Sequence, residues 1–106
     1  MPSSCSYIIS TDGKKVYAKK VSTGNIEFSG TLNEVLSFTA KSGNHLCIKD
    51  GNYLLSTITL QPDVIIECES NNAIIKAEDV FYLVYLKSDS TIKGCTYDHK
   101  GKTKSI

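Results

Sequence analysis

Glu67 and Glu69 stand on either side of Cys68, and Asp98-His99 follows Cys95 by three residues. These are the positions where residue type and spacing could do chemistry. In a strand, Glu67 and Glu69 point to one face. Two such carboxylates hold a divalent cation such as Ca²⁺ only where further oxygens join them, and the plainer reading is a solvated outer face. Cys95, Asp98 and His99 include the elements of a nucleophile and base, or of a metal site. However, Cys95 shares a strand face with Tyr97, while Asp98 and His99 are expected in the following turn, and nothing supplies a third member or an oxyanion hole. His45 precedes a strand and reads as a turn residue. No catalytic, cofactor-binding or metal-ligating residue is therefore assigned, and no cofactor is expected.

The four cysteines, Cys5, Cys47, Cys68 and Cys95, contain no CxxC pair, which argues against a zinc site. Three lie in apolar segments, where Cys serves as a small buried hydrophobe; a disulfide between stacked segments is the other reading. All twelve basic residues are lysine, and only Lys100, Lys102 and Lys104 cluster. Without arginine the chain lacks the side chain best suited to bidentate phosphate recognition, so nucleic acid is not an expected partner. The longest apolar run, residues 80–86, has the length of a strand rather than of a membrane span. The first ten residues lack the basic start and apolar core of a signal peptide. No membrane partner is expected, and no compartment is assigned.

The elements that must position these residues fall into four parts of a single domain spanning 1–106. Residues 1–30 form an antiparallel meander broken at Thr11-Asp12-Gly13 and at residues 22–25. Residues 31–42 form a helix opened by a capping box of Thr31 and Glu34, with Leu32, Val35, Leu36 and Phe38 on its apolar side and Gly43 as its stop. Residues 45–98 are a run of short strands, LCIK, YLLSTITL, VIIECE, AIIKA, FYLVYLK and STIKGCTY, separated only by polar corners such as Asp50-Gly51-Asn52 and Gln61-Pro62-Asp63. Residues 99–106 are a tail. Setting the strands against one another places Ile66 over Ile92 and Cys68 over Gly94, and Leu46 and Ile48 over Val64 and Ile66. That variable period lies at the short edge of stacked repeats.

The run from Ile48 through Gly51, Tyr53 and Leu55, then Ile58, Leu60, Pro62 and Val64, followed by residues 73–76 and 90–98, resembles the first turns of right-handed parallel β-helix proteins of the pectate-lyase-like class. The helix at 31–42 sits where such proteins place a capping helix. The resemblance covers roughly residues 31–98 and describes architecture. It implies an all-β fold with one short capping helix, built as a short right-handed parallel β-helix, a solenoid; a small β-sandwich is the alternative. Similar segments occur in polysaccharide-degrading enzymes, bacteriophage tailspikes and viral or archaeal surface proteins. Enzymes of that class which cleave acidic sugars use calcium held by Asp and Glu, with a basic catalyst that is often arginine. Here only a lysine could take that part, and none is singled out.

The segment FYLVYLK is apolar on both faces, with Phe81, Leu83 and Tyr85 on one and Tyr82, Val84 and Leu86 on the other. Only one face of a strand can point into a stack, so the other meets a helix, the meander, a sugar or another subunit. The expected function is a non-enzymatic structural or assembly module that self-associates through the end of its stack and the strand at 81–87. Phe81, Tyr82, Val84, Tyr85, Leu86 and Tyr97 are its expected interface, and the partner is a further copy of the chain. The alternative is a carbohydrate-binding or carbohydrate-active domain with a polysaccharide partner.

Overall fold

The computed structural model describes residues 5–56, 58–59, 61–77, 84–85, 90–99 and 102–105. Their elements run in the order β1 (Tyr7–Thr11), β2 (Val16–Lys20), β3 (Ile26–Gly30), α1 (Leu32–Thr39), β4 (His45–Ile48), β5 (Gly51–Leu55), β6 (Ile58–Thr59), β7 (Ile65–Cys68), β8 (Ala73–Ala77), β9 (Val84–Tyr85), β10 (Thr91–Lys93), β11 (Thr96–His99) and β12 (Lys102–Ser105).

The first three strands form the expected meander. Asp12 makes the first turn by accepting at 2.8 Å from the N–H groups of both Lys14 and Lys15, the local bonding that favours Asp in turns. This meander is continuous with the strands beyond the helix. β1 pairs antiparallel with β2 on one side and in parallel with β4 on the other, with Ile9 opposite both Ala18 and Ile48. The strands thereby join one six-stranded sheet of order β10-β7-β4-β1-β2-β3. A second sheet has the order β12-β11-β8-β5, with β12 antiparallel to β11, and β6 pairs in parallel with β9.

The architecture expected from the sequence is thereby corrected. In place of a short parallel β-helix with a separate lid, the described residues form a compact body with a mixed six-stranded sheet, a second mixed sheet, a short parallel pair and one short helix. The physical reason lies at β4. Its free edge needs a hydrogen-bonding partner, and Tyr7–Thr11 supplies one while aligning Ile9 with Ile48 on the buried face. The β-sandwich alternative fails as well, because β4, β7 and β10 pair in parallel, as do β5, β8 and β11, whereas a sandwich stacks antiparallel sheets.

Within the sheets the register is specific. Ile66 lies opposite Ile92 as expected, but Leu46 and Ile48 lie opposite Ile66 and Cys68 rather than Val64 and Ile66. The two-residue difference preserves the side-chain face. Rows of apolar residues consequently cross the inner face, one through Ile92, Ile66, Leu46 and Tyr7, the other through Cys68, Ile48, Ile9, Ala18 and Phe28. From the second sheet Tyr53, Leu55, Ala73 and Ile75 are buried in the same core. The Tyr53 hydroxyl donates to the Lys49 carbonyl at 2.8 Å, and burial, with Asp50 and Glu69 nearby, pushes its phenol pKa up.

The helix begins at the expected capping box. Thr31 Oγ1 accepts from the Glu34 N–H at 3.2 Å, and Glu34 Oε1 accepts from the Thr31 N–H at 3.0 Å. It ends at Thr39, short of the expected 42, because Asn44 Nδ2 donates to the Thr39 carbonyl at 2.8 Å and the chain turns through Gly43 at φ 88°. Leu32, Val35 and Leu36 are buried, each contributing about 1.5–3 kcal/mol relative to exposure. They pack α1 against β2, β3 and β5.

Candidate interaction surface

Phe38 follows the buried stripe of α1 but lies at its margin. Leu32, Val35, Leu36 and Thr39 take the core-facing positions, and Phe38 remains 40% exposed. Phe28 reaches it from β3, the last strand of the large sheet. The two rings stack with centroids 5.0 Å apart and planes 12° from parallel. Tyr7 meets Phe38 edge-on, with centroids 6.3 Å apart and an interplanar angle of 74°. Such offset and edge geometries are the favoured aromatic arrangements. A shallow depression of about 430 Å³ lies beside the stack, lined by Phe28, Asn33, Glu34, Ser37 and Phe38. Sequence reasoning did not single out this cluster. Its one signal was an aromatic at the margin of a helical stripe, where it cannot bury with the others.

The positions singled out for chemistry are engaged elsewhere. Cys95 is bonded to Cys68 and Cys5 to Cys47, and no cysteine is free. This settles the choice between buried thiols and disulfides in favour of two bridges. Asp98 and His99 lie on β11 rather than in a turn. Glu67, half-buried, accepts at Oε1 from His45 Nε2 at 3.2 Å and stands 4.0 Å from Lys93 Nζ, so His45 makes a strand-to-strand hydrogen bond from β4 rather than sitting in a turn. Glu69 Oε1 accepts from the Asp50 N–H at 3.0 Å. Among the described residues no group of three or more His, Cys, Asp or Glu is placed to hold a metal ion, and no helix is long and apolar enough to cross a membrane.

Of the expected interface, Phe81, Tyr82 and Leu86 lie outside the described residues. Val84 and Tyr85 form β9 opposite Ile58 and Thr59. Tyr97 lies on β11 between Ile75 and Lys104, so β12 covers one side of the strand expected to end the stack.

No family model, curated protein or solved structure matches this chain.

Proposed function

We propose that the chain is a disulfide-stapled, non-enzymatic structural module that associates with a second copy of itself through the face made by Phe28, Phe38 and Tyr7. The half-exposed Phe28–Phe38 stack is the observation that carries this reading. Rigid aromatic clusters at the surface are typical anchors of protein interfaces, and a face that meets its own copy forms an isologous contact about a two-fold axis. The two bridges support a working environment that is oxidising. A sugar platform is less well supported here, since Phe28 and Phe38 turn ring faces towards each other rather than outward.

Association through this face differs from pairing of the β3 edge. The register of β3 against β2 shifts between Ala18 and Lys19, leaving Glu27 as an extra residue, and a bulge of this kind guards a sheet edge against further strands. Light scattering on a size-exclusion column tests the proposal. A dimer is expected at high concentration, reduced to a monomer by Phe38→Glu and unchanged by Ile26→Asp, which alters a 61% exposed residue aligned with Lys19 instead of the aromatic face. A monomer at every concentration, or a dimer indifferent to Phe38→Glu, overturns it.

A further inference from the structure

Among the described residues β5 is the last strand of its sheet, and its pairing with β8 runs without a shift from Gly51 to Leu55. The Gly51 N–H donates to the Asn72 carbonyl at 3.2 Å. Backbone direction alternates along a strand, so Gly51, Tyr53 and Leu55 face β8 while Asn52, Leu54 and Ser56 face away from it. Ser56 confirms the phase, for its N–H and carbonyl both bond to the side-chain amide of Asn33. That amide acts as one residue of a neighbouring strand and stops there. The N–H and carbonyl groups of Asn52 and Leu54 open instead onto a groove of about 470 Å³, walled by Lys14 from the β1–β2 turn and by Leu32 and Asn33 from α1. Leu54 is 60% exposed. Unlike β3, this edge carries no bulge.

The two ends of the groove differ. Thr11 packs over Gly51, which sets the β1–β2 turn, and Lys14 with it, at the start of β5; Asn33 marks the finish. Among the described residues Lys14 makes no ion pair, and the adjacent Asp12 carboxylate is taken up by the N–H groups of Lys14 and Lys15 and by the Tyr17 hydroxyl. The groove thus offers backbone groups to an extended chain and an uncommitted ammonium where an antiparallel chain would end.

We propose that the β5 edge is a strand-acceptor site for the C-terminal residues of an extended peptide, which pairs antiparallel with Asn52 and Leu54 and places its terminal carboxylate at Lys14. Added strands take their affinity from main-chain bonds and their specificity from such end groups. The open stretch from Asn52 to Leu54 spans three residues, ~10 Å at a rise of ~3.3 Å per residue, before Asn33 takes up Ser56. The site is distinct from the aromatic face and does not depend on it.

Fluorescence anisotropy of an N-terminally labelled Thr-Val-Thr-Val peptide, titrated with the full chain, tests the assignment. Saturable binding is expected for the free acid and about fivefold weaker binding for the amidated peptide, the range of one exposed charge pair. Lys14→Ala brings the acid down to the level of the amide. Leu54→Pro removes an N–H that faces the groove and leaves the β8 ladder intact, so binding is lost while the circular dichroism melt is kept. A peptide N-methylated at its pairing amides makes the same test without altering the protein. Absence of saturation with either peptide, or equal binding of acid and amide, overturns the proposal. So does self-association that Leu54→Pro abolishes and Phe38→Glu does not, since the edge would then belong to a second copy.

Discussion

The side chain of Asn33 and the backbone of Ser56 are paired in both directions, with Nδ2 donating to the carbonyl at 3.1 Å and Oδ1 accepting from the N–H at 2.8 Å. The pair is partly buried and joins the first turn of α1 to the end of β5. Asn33→Ala leaves a backbone donor and acceptor without partners and is expected to cost ~1–3 kcal/mol. Asn33→Asp keeps the acceptor but sets a carboxylate oxygen against the Ser56 carbonyl in place of the donor, so its urea midpoint also falls below that of wild type. Equal midpoints for all three proteins would show that the pair contributes nothing.

The two disulfides close loops of similar size. Cys5 and Cys47 are separated by 42 residues and Cys68 and Cys95 by 27, and their Cα distances of 5.8 and 5.1 Å suit a bridge. Chain-entropy reasoning gives about 3.5–4 kcal/mol for each. Replacing either pair by alanine should therefore lower the urea midpoint by comparable amounts, and replacing both should lower it further than either. Alkylation of the denatured, unreduced protein should add no label, whereas reduction should expose all four cysteines. Labelling before reduction would contradict the pairing.

Local features were legible, as was one strand alignment, whereas the other long-range partners were not. The Thr31–Glu34 box, the Asp12 turn and the alignment of Ile66 with Ile92 could be read because each depends on local bonding or on side-chain alternation. The parallel pairing of β1 with β4 could not, since YIIS has the same apolar character whichever strand it meets. YLLSTITL reads as one strand because no Gly or Pro marks a corner. The chain nevertheless breaks between β5 and β6, where Asn33 supplies from a distance the partner that a turn residue would supply locally. The aromatic face is hidden in the sequence for the same reason, as Phe28 and Phe38 meet only once β3 and α1 are in place.

Asp12 gives the acid limb of the stability curve a local origin. The N–H of Lys15, the Tyr17 hydroxyl and the N–H of Lys14 all donate to its carboxylate and lower its pKa from 3.8 to about 2. A carboxylate depressed in the folded state stabilises fully above its unfolded value and loses that contribution as pH falls through the folded one. The hairpin should therefore loosen between about pH 4 and pH 2, and Asp12→Asn should remove this dependence. Tyr17→Phe takes away the second-largest of these causes and should move the Asp12 midpoint upward in an NMR titration. An Asp12 midpoint at the ordinary value in wild type would refute the turn geometry.

Gly51 meets two demands that a residue with a side chain does not. Its φ of 148° is one that side-chain-bearing residues rarely adopt, and a Cβ there would lie 2.8 Å from Thr11 Cγ2. The methyl cannot swing aside freely, because Thr11 Oγ1 accepts from the Gly13 N–H at 3.1 Å and donates to the Lys15 carbonyl at 2.9 Å. Gly51→Ala is expected to destabilise by ~1–3 kcal/mol, the range for a residue held in a sparsely populated backbone region. Thr11→Ser keeps the hydroxyl and deletes the methyl, so in the double variant the steric part of the loss returns while the backbone part remains. A double-mutant cycle in urea should then give a coupling of at least ~0.5 kcal/mol, the lower end for residues in contact. Additive losses would mean that Thr11 does not pack over Gly51, and would remove with it the placement of Lys14 at the start of the β5 groove.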